Sequence, residues 1–173
     1  MVKQFKLFLD LIRIKKPIGI MLLFWPCLWG LTLANDFNDN NLRFLIYLIY
    51  FFLGSVLMRS AGCIVNDILD RKYDVMVERT KKRPIASGKI SVNLGLVYVI
   101  ILCSTAFLIL MQFNFITILL GLASMPFAFS YPLMKRYTYW PQLFLGFTFN
   151  YGLIMAWFSI KPEFSYIPII FYI

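Results

Sequence analysis

Asn66, Asp67, Asp70 and Asp74 fall within nine residues, in the stretch NDILDRKYD, directly after one of the most apolar runs of the chain. On a helix, Asn66, Asp70 and Asp74 occupy positions i, i+4 and i+8. Each step of four drifts by only about 40°, so the three project from one face with the outer two about 12 Å apart. Asp67 lies on the adjacent stripe, three residues before Asp70. Carboxylates at this spacing repel one another, and beside a bilayer the cost grows, so such residues are paired or functional. A divalent cation removes the penalty. Mg2+ takes hard oxygen ligands, keeps several waters, and binds one or two carboxylates together with substrate phosphate oxygens. Asn66 adds an amide oxygen or orients a water. The spacing therefore marks Asn66, Asp67, Asp70 and Asp74 as candidate Mg2+ ligands, with Asp70 and Asp74 the candidate catalytic pair. The plainer alternative is that Asp70 and Asp74 pair with Arg71, Lys72 and Arg79 on a solvated helix end.

The cations nearby suit an anionic ligand. ERTKKRPIASGK (78–89) places five cations next to the acidic face, followed by the turn residues Pro84 and Gly88. A metal–carboxylate pole beside Arg and Lys donors suits a diphosphate, and Arg79 and Arg83 are the stronger candidates because Arg grips phosphate bidentately. Arg59, in LMRSAG, lies one heptad before Asn66 and two turns deeper into the same helix. An Arg at that depth faces a polar cavity, where it holds an anionic substrate or pairs with a carboxylate. SYPLMKRYTYWPQ (130–142) supplies a second basic corner, Lys135 and Arg136, among aromatics. Composition alone reads it as a membrane-interface anchor.

The elements that must carry these residues are membrane helices. The 173-residue chain is 61% hydrophobic and only 14% charged, and it repeats apolar runs long enough to cross a hydrocarbon core of roughly 30 Å. Helices are expected at 17–34, 42–66, 92–111, 113–131 and 141–160: an all-α, polytopic transmembrane bundle of about five complete spans. A sixth apolar run begins at 165 and stops after nine residues. The opening MVKQFKLFLDLIRIKKP reads as an amphipathic segment lying along the interface. The absence of His removes the usual general base and the commonest zinc ligand. Cys27, Cys63 and Cys103 lie apart in apolar runs and read as buried thiols.

The formal charge of +9 invites a nucleic-acid partner, but its distribution follows membrane topology instead. Basic residues gather before the first span, after the second and after the fourth; the other side carries only Arg43 and Lys161. By the positive-inside rule the amino terminus is cytoplasmic, or faces the matrix in a mitochondrion. The bilayer is the expected partner, and nucleic acid is not.

With these residues assembled, the sequence resembles the aromatic prenyltransferases of ubiquinone biosynthesis, the 4-hydroxybenzoate polyprenyltransferases of the UbiA superfamily. RIKKPIGIMLLFWPCLWGL (13–31) is similar to that family's first helix and MRSAGCIVNDILDRKYD (58–74) carries its NDxxDxxxD motif. VERTKKRPIASG (77–88) matches the following loop and YPLMKRYTYWPQLFLG (131–146) the KR motif. The resemblance implies an integral protein of the bacterial or mitochondrial inner membrane. It implies Mg2+ and polyprenyl diphosphate on Asn66, Asp70, Asp74 and Asp67, a substrate role for Arg136 in place of the interface anchor, and 4-hydroxybenzoate as acceptor. It also implies about nine helices and a second Asp-rich motif after the sixth. No second DxxxD occurs here: Asp10 stands alone, and Asp36 and Asp39 are expected on the other side. The 173 residues therefore read as one truncated domain, the amino-terminal part of such an enzyme. Taken alone it is expected to be inactive, a non-catalytic membrane remnant or one fragment of a split prenyltransferase. A cation carrier would place its acidic groups near the membrane midplane. A CDP-alcohol phosphotransferase would need DG and AR elements that the Asp run lacks.

Overall fold

Apolar runs of the expected lengths become helices at the expected places. The computed structural model describes residues 2–36, 41–137 and 139–172, without the side chains of 2, 3, 41, 131–133 and 135–137. Among the described residues every regular element is helical: α1 (Val2–Leu11), α2 (Ile18–Ala34), α3 (Asn41–Leu69), α4 (Arg71–Asp74), α5 (Val92–Leu110), α6 (Phe115–Tyr137), α7 (Pro141–Ile160) and α8 (Ile167–Tyr172). Helix α5 and the apolar parts of α3 and α7 are long and apolar enough to cross a membrane, and α2 and the first part of α6 (Phe115–Ser130) are shorter apolar helices. Leu45, Ile49, Leu53, Ile100 and Leu108 stand exposed along the spans, as lipid-facing side chains do.

Local chemistry sets the helix ends. Pro17 and Pro141 stand at the starts of α2 and α7, where a missing N–H costs nothing. The Ser91 hydroxyl accepts from the Leu94 N–H and opens α5. Asn114 opens α6 by accepting from the Thr117 N–H at 2.9 Å, and its amide nitrogen donates to the Phe158 and Ser159 carbonyls at the end of α7. One side chain thus satisfies both a helix start and a neighbouring helix end.

Helices α2 and α7 form the most extensive pair. Cys27 meets Gly152 and Gly30 meets Leu153 and Ala156, a matched advance along both chains that makes the pair parallel. Glycines at this seam let the backbones approach closely. The pairs α2–α3, α3–α5 and α6–α7 are antiparallel. Arg59 of α3 meets Gly19 of α2, Ile64 and Ile68 of α3 meet Gly95 of α5, and Phe127 of α6 meets Phe144 and Tyr151 of α7. At the end away from the acidic residues, Tyr47, Tyr50 and Phe51 crowd around Phe113.

These helices surround an apolar chamber of about 190 Å³. Its α3 wall is Tyr50, Phe51, Gly54, Ser55, Met58 and Gly62. Gly62, at one end of that wall, lies one helical turn before Asn66.

Candidate functional site

The acidic stretch sits where α3 passes into α4. Helix α3 runs to Leu69, three residues beyond the expected boundary, and the chain keeps its helical phase through the break. The Asp70 N–H donates to the Asn66 carbonyl and the Asp74 N–H to the Asp70 carbonyl, each at 2.9 Å. The expected spacing of Asn66, Asp70 and Asp74 is therefore present in the backbone.

The side chains divide that spacing into two groups. Asp67 and Asp74 are buried, with 2% and 8% exposure, and both accept from Arg83. Its Nη1 lies 2.7 Å from Asp74 Oδ2 and 3.3 Å from Asp67 Oδ1. Asp67 Oδ1 also accepts from Nη2 of Arg13. Two carboxylates and two guanidinium groups balance in charge, which buried ions require. Asn66 and Asp70 are half-buried, one turn apart, on the stripe beside this cluster.

Burial of apolar side chains brings the arginines there. Leu11, Ile12, Ile64, Ile85 and Ile90 form one buried cluster, which joins the end of α1, the turn after it, the inner part of α3 and the 75–91 loop. Phe8 adds an edge-on contact with Tyr98 of α5. Ile85 and Ile90 pull the loop back over α3, so Arg83, just before Pro84, reaches the carboxylates. The Thr80 hydroxyl donates to the Asp74 carbonyl at 2.9 Å and pins the loop's near end. Gly88 takes a left-handed φ of 71°, which Gly adopts without a Cβ penalty.

Of the residues expected to act on substrate, the structure brings Arg83 to the carboxylates. Arg79 is exposed on the loop surface. Arg59 lies against Gly19, and no described carboxylate reaches it. The plainer alternative, Asp74 paired with Arg71, Lys72 or Arg79, is not what is seen: Asp74 pairs with Arg83, and Arg71 and Lys72 are exposed. The side chains of Lys135 and Arg136 lie outside the described residues, as does Asp39; the α6 backbone runs through the KR motif to Tyr137. Sequence reasoning missed Arg13, because its partner is 54 residues away and no local spacing signals the contact. All three cysteines are free.

Among the described residues no group of three or more His, Cys, Asp and Glu comes together as a ready metal cage. Hard oxygen donors one turn apart beside an arginine suit a cation that takes most of its shell from phosphate and water, as Mg2+ does. Asn66 and Asp70 offer that donor set, with Asp74 next along the chain; Asp67 is committed to the arginines.

The sequence pattern of the UbiA prenyltransferase family matches residues 23–173. The chain is 42% identical over 160 residues to a mitochondrial 4-hydroxybenzoate polyprenyltransferase of Caenorhabditis elegans, covering 92% of this chain and 44% of the relative. It is 48% identical over 149 residues to a 4-hydroxybenzoate octaprenyltransferase of Pseudomonas fluorescens, covering 86% and 49%. The chain thus spans about half the length of these curated relatives. Among solved structures, a digeranylgeranylglyceryl phosphate synthase superposes with a TM-score of 0.77 at 20% identity, covering 98% of this chain and 57% of the other. A UbiA homologue from Archaeoglobus fulgidus bound to DMAPP and Mg2+ superposes with 0.73 at 18% identity, covering 95% and 57%. The fold is shared with both.

Proposed function

The chain belongs to the UbiA prenyltransferase family, and from that membership we propose that it binds polyprenyl diphosphate with Mg2+ and transfers the prenyl group to the ring of 4-hydroxybenzoate. It is an integral membrane protein, and the distribution of its basic residues supports placing the Asp67–Arg83 end on the cytoplasmic or matrix side. The observation that carries the reading is that one helix, α3, both walls the apolar chamber and carries the acidic stretch at its end. Gly62, the chamber's α3 residue nearest that end, lies one turn before Asn66, with Asp70 and Arg83 beyond. An isoprenoid diphosphate has that polarity: an apolar tail joined to a polyanion.

In this reading Asn66, Asp70 and Asp74 would hold Mg2+, which when bound supplies positive charge to the diphosphate oxygens. Arg83 donates to the same diphosphate, and Asp67 anchors the arginines. The allylic C–O bond breaks with its electron pair leaving on the diphosphate oxygen. The ring carbon beside the phenolic hydroxyl then bonds to the allylic carbon, and the proton on that ring carbon is lost to restore aromaticity. Positioned charge on a leaving group is commonly the largest catalytic contribution. Arg59 would hold the acceptor's carboxylate. It lies seven residues from Asn66, about 10 Å along the helix, which leaves room for a benzoate ring between the carboxylate clamp and the reacting carbon. Lys135 and Arg136 would approach the substrates from α6.

The test is transfer of a labelled prenyl group to 4-hydroxybenzoate by membranes carrying the whole protein. Activity should vanish on metal chelation and fall by at least about 100-fold in Asp70→Asn, as for loss of an electrostatic group acting on the transition state. Full activity in Asp70→Asn would overturn the reading. Because no three-carboxylate cluster gathers among the described residues, a second reading is binding of the metal diphosphate without transfer. Analogue binding without product formation by the 173 residues would favour it.

A further inference from the structure

We infer that Arg13 is a positioning residue for the diphosphate site: by occupying the buried Asp67 it leaves Arg83 to Asp74 and to the incoming diphosphate. The inference rests on the proposed reading of this end of the bundle as the diphosphate site.

Three observations carry it. The first is competition for one donor. Arg83 approaches both carboxylates through the same nitrogen, Nη1, closer to Asp74 at 2.7 Å than to Asp67 at 3.3 Å. Neither buried carboxylate can be handed to water, so without Arg13 a single guanidinium would face two negative charges. It would be drawn toward Asp67 and away from Asp74, and its remaining donors would turn inward. With Arg13 in place, the Arg83 side chain keeps 26% exposure, and a guanidinium has five N–H donors to offer.

The second is the backbone of Arg13. Its φ of 57° makes it the one non-glycine residue with positive φ among the described residues. L-residues adopt that region at a cost, and it persists where surrounding structure holds it. Here the hold is the turn itself, with the Arg13 N–H donating to the Asp10 carbonyl at 3.3 Å and the Lys16 N–H to the Arg13 carbonyl at 2.9 Å. The third is the anchor beneath. Leu11 and Ile12, immediately before Arg13, are buried against Ile64, Ile85 and Ile90. The apolar cluster that seats Arg13 therefore also seats the α3 turn bearing Asp67 and the loop bearing Arg83. The interfacial helix α1 and the diphosphate site are parts of one packed unit.

The test uses the whole protein in lipid nanodiscs, a non-transferable prenyl thiodiphosphate with Mg2+, and Arg13→Ala alone and with Asp67→Asn. Arg13→Ala is expected to weaken binding roughly tenfold, the weight of a charge-assisted hydrogen bond. Adding Asp67→Asn removes the carboxylate that competes for Arg83 and should return binding to within about threefold of wild type. A purely structural role for Arg13 would not be rescued in this way. Wild-type binding by Arg13→Ala, or a loss that Asp67→Asn leaves unchanged, overturns the inference. If Arg13→Ala does not accumulate, the charge-balanced double variant decides alone: near-wild-type binding supports the inference and lost binding overturns it. Failure of the wild-type protein to bind the analogue would instead remove the diphosphate reading on which the inference stands.

Discussion

The guanidinium of Arg59 lies against the bare Cα of Gly19, so that a methyl group there would stand 2.8 Å from Nη2 and 2.9 Å from Cζ. The Gly of the KPIG run thus makes room for an arginine deep in the next helix, one heptad before Asn66. Intramembrane arginines need a polar partner, and no described carboxylate reaches this one. If Arg59 holds the acceptor's carboxylate, Gly19→Ala moves the clamp without touching the diphosphate end. The KM for 4-hydroxybenzoate should rise roughly tenfold or more, as for loss of a charge-assisted hydrogen bond, while the KM for the prenyl diphosphate stays within about twofold. Steady-state kinetics with each substrate varied separately checks this. Ala is the better helix former by about 1 kcal/mol, so loss of helix cannot account for the effect.

Arg83 ties two buried carboxylates to a loop, and its removal strands both. Arg83→Ala leaves Asp74 without its 2.7 Å partner and Asp67 with Arg13 alone. Breaking a buried ion pair from one side costs on the order of 3 kcal/mol, discounted here because the arginine is partly exposed. Detergent thermal unfolding should show a clear drop in Tm for Arg83→Ala and a smaller one for Arg83→Lys, which keeps charge but loses the fork. Lys81 and Glu78 form an exposed pair on the same loop, and Glu78→Gln should leave the Tm within experimental scatter.

Much of this architecture is legible in the sequence because long apolar runs have few alternatives in a bilayer. The runs expected at 17–34 and 141–160 appear as Ile18–Ala34 and Pro141–Ile160. The acidic periodicity persists because α4 continues the phase of α3. What local spacing could not reveal is which cation meets which carboxylate. Arg71 and Lys72 neighbour the acids in sequence yet are exposed, while Arg13 and Arg83 arrive from 54 and 16 residues away. That choice is made by Leu11, Ile12, Ile85 and Ile90 packing on Ile64, a tertiary fact carried by scattered apolar residues with no shared period. The pairing of α2 with α7 was equally hidden, since it depends on Gly30 and Gly152 finding each other's helices across the bundle.

That seam makes its own prediction. A Cβ on Gly30 would press on the Leu153 carbonyl and come within 2.9 Å of the Ala156 Cβ, and neither is the movable tip of a long side chain. Helices α2 and α7 would have to part. Gly30→Ala should therefore destabilise by about 1–3 kcal/mol, the usual cost of overpacking, despite Ala's better helix propensity. Thermal unfolding in detergent checks the sign, since a glycine kept merely for flexibility would give the opposite one.

The chamber can be tested by filling it. Gly54 and Gly62 both line it, and a Cβ built on either meets nothing within 4 Å, so a larger side chain enters empty space. Gly62→Ala should hold or raise the Tm, since helix propensity favours Ala by about 1 kcal/mol and no clash opposes it. Gly54→Leu, about 18 Å along α3 from Asn66, should also fold, but its side chain occupies part of a space of about 190 Å³. Should the chamber hold the isoprenoid tail, that loss of room penalises long donors and spares short ones, because the first isoprene unit lies nearest the diphosphate end. The KM for a long polyprenyl diphosphate should rise by roughly tenfold in Gly54→Leu, within the range set by steric rejection in an apolar pocket, and that for a dimethylallyl donor by less than about twofold. An equal rise for both donors would place the tail elsewhere, and the apolar wall of α3 would then serve helix packing alone.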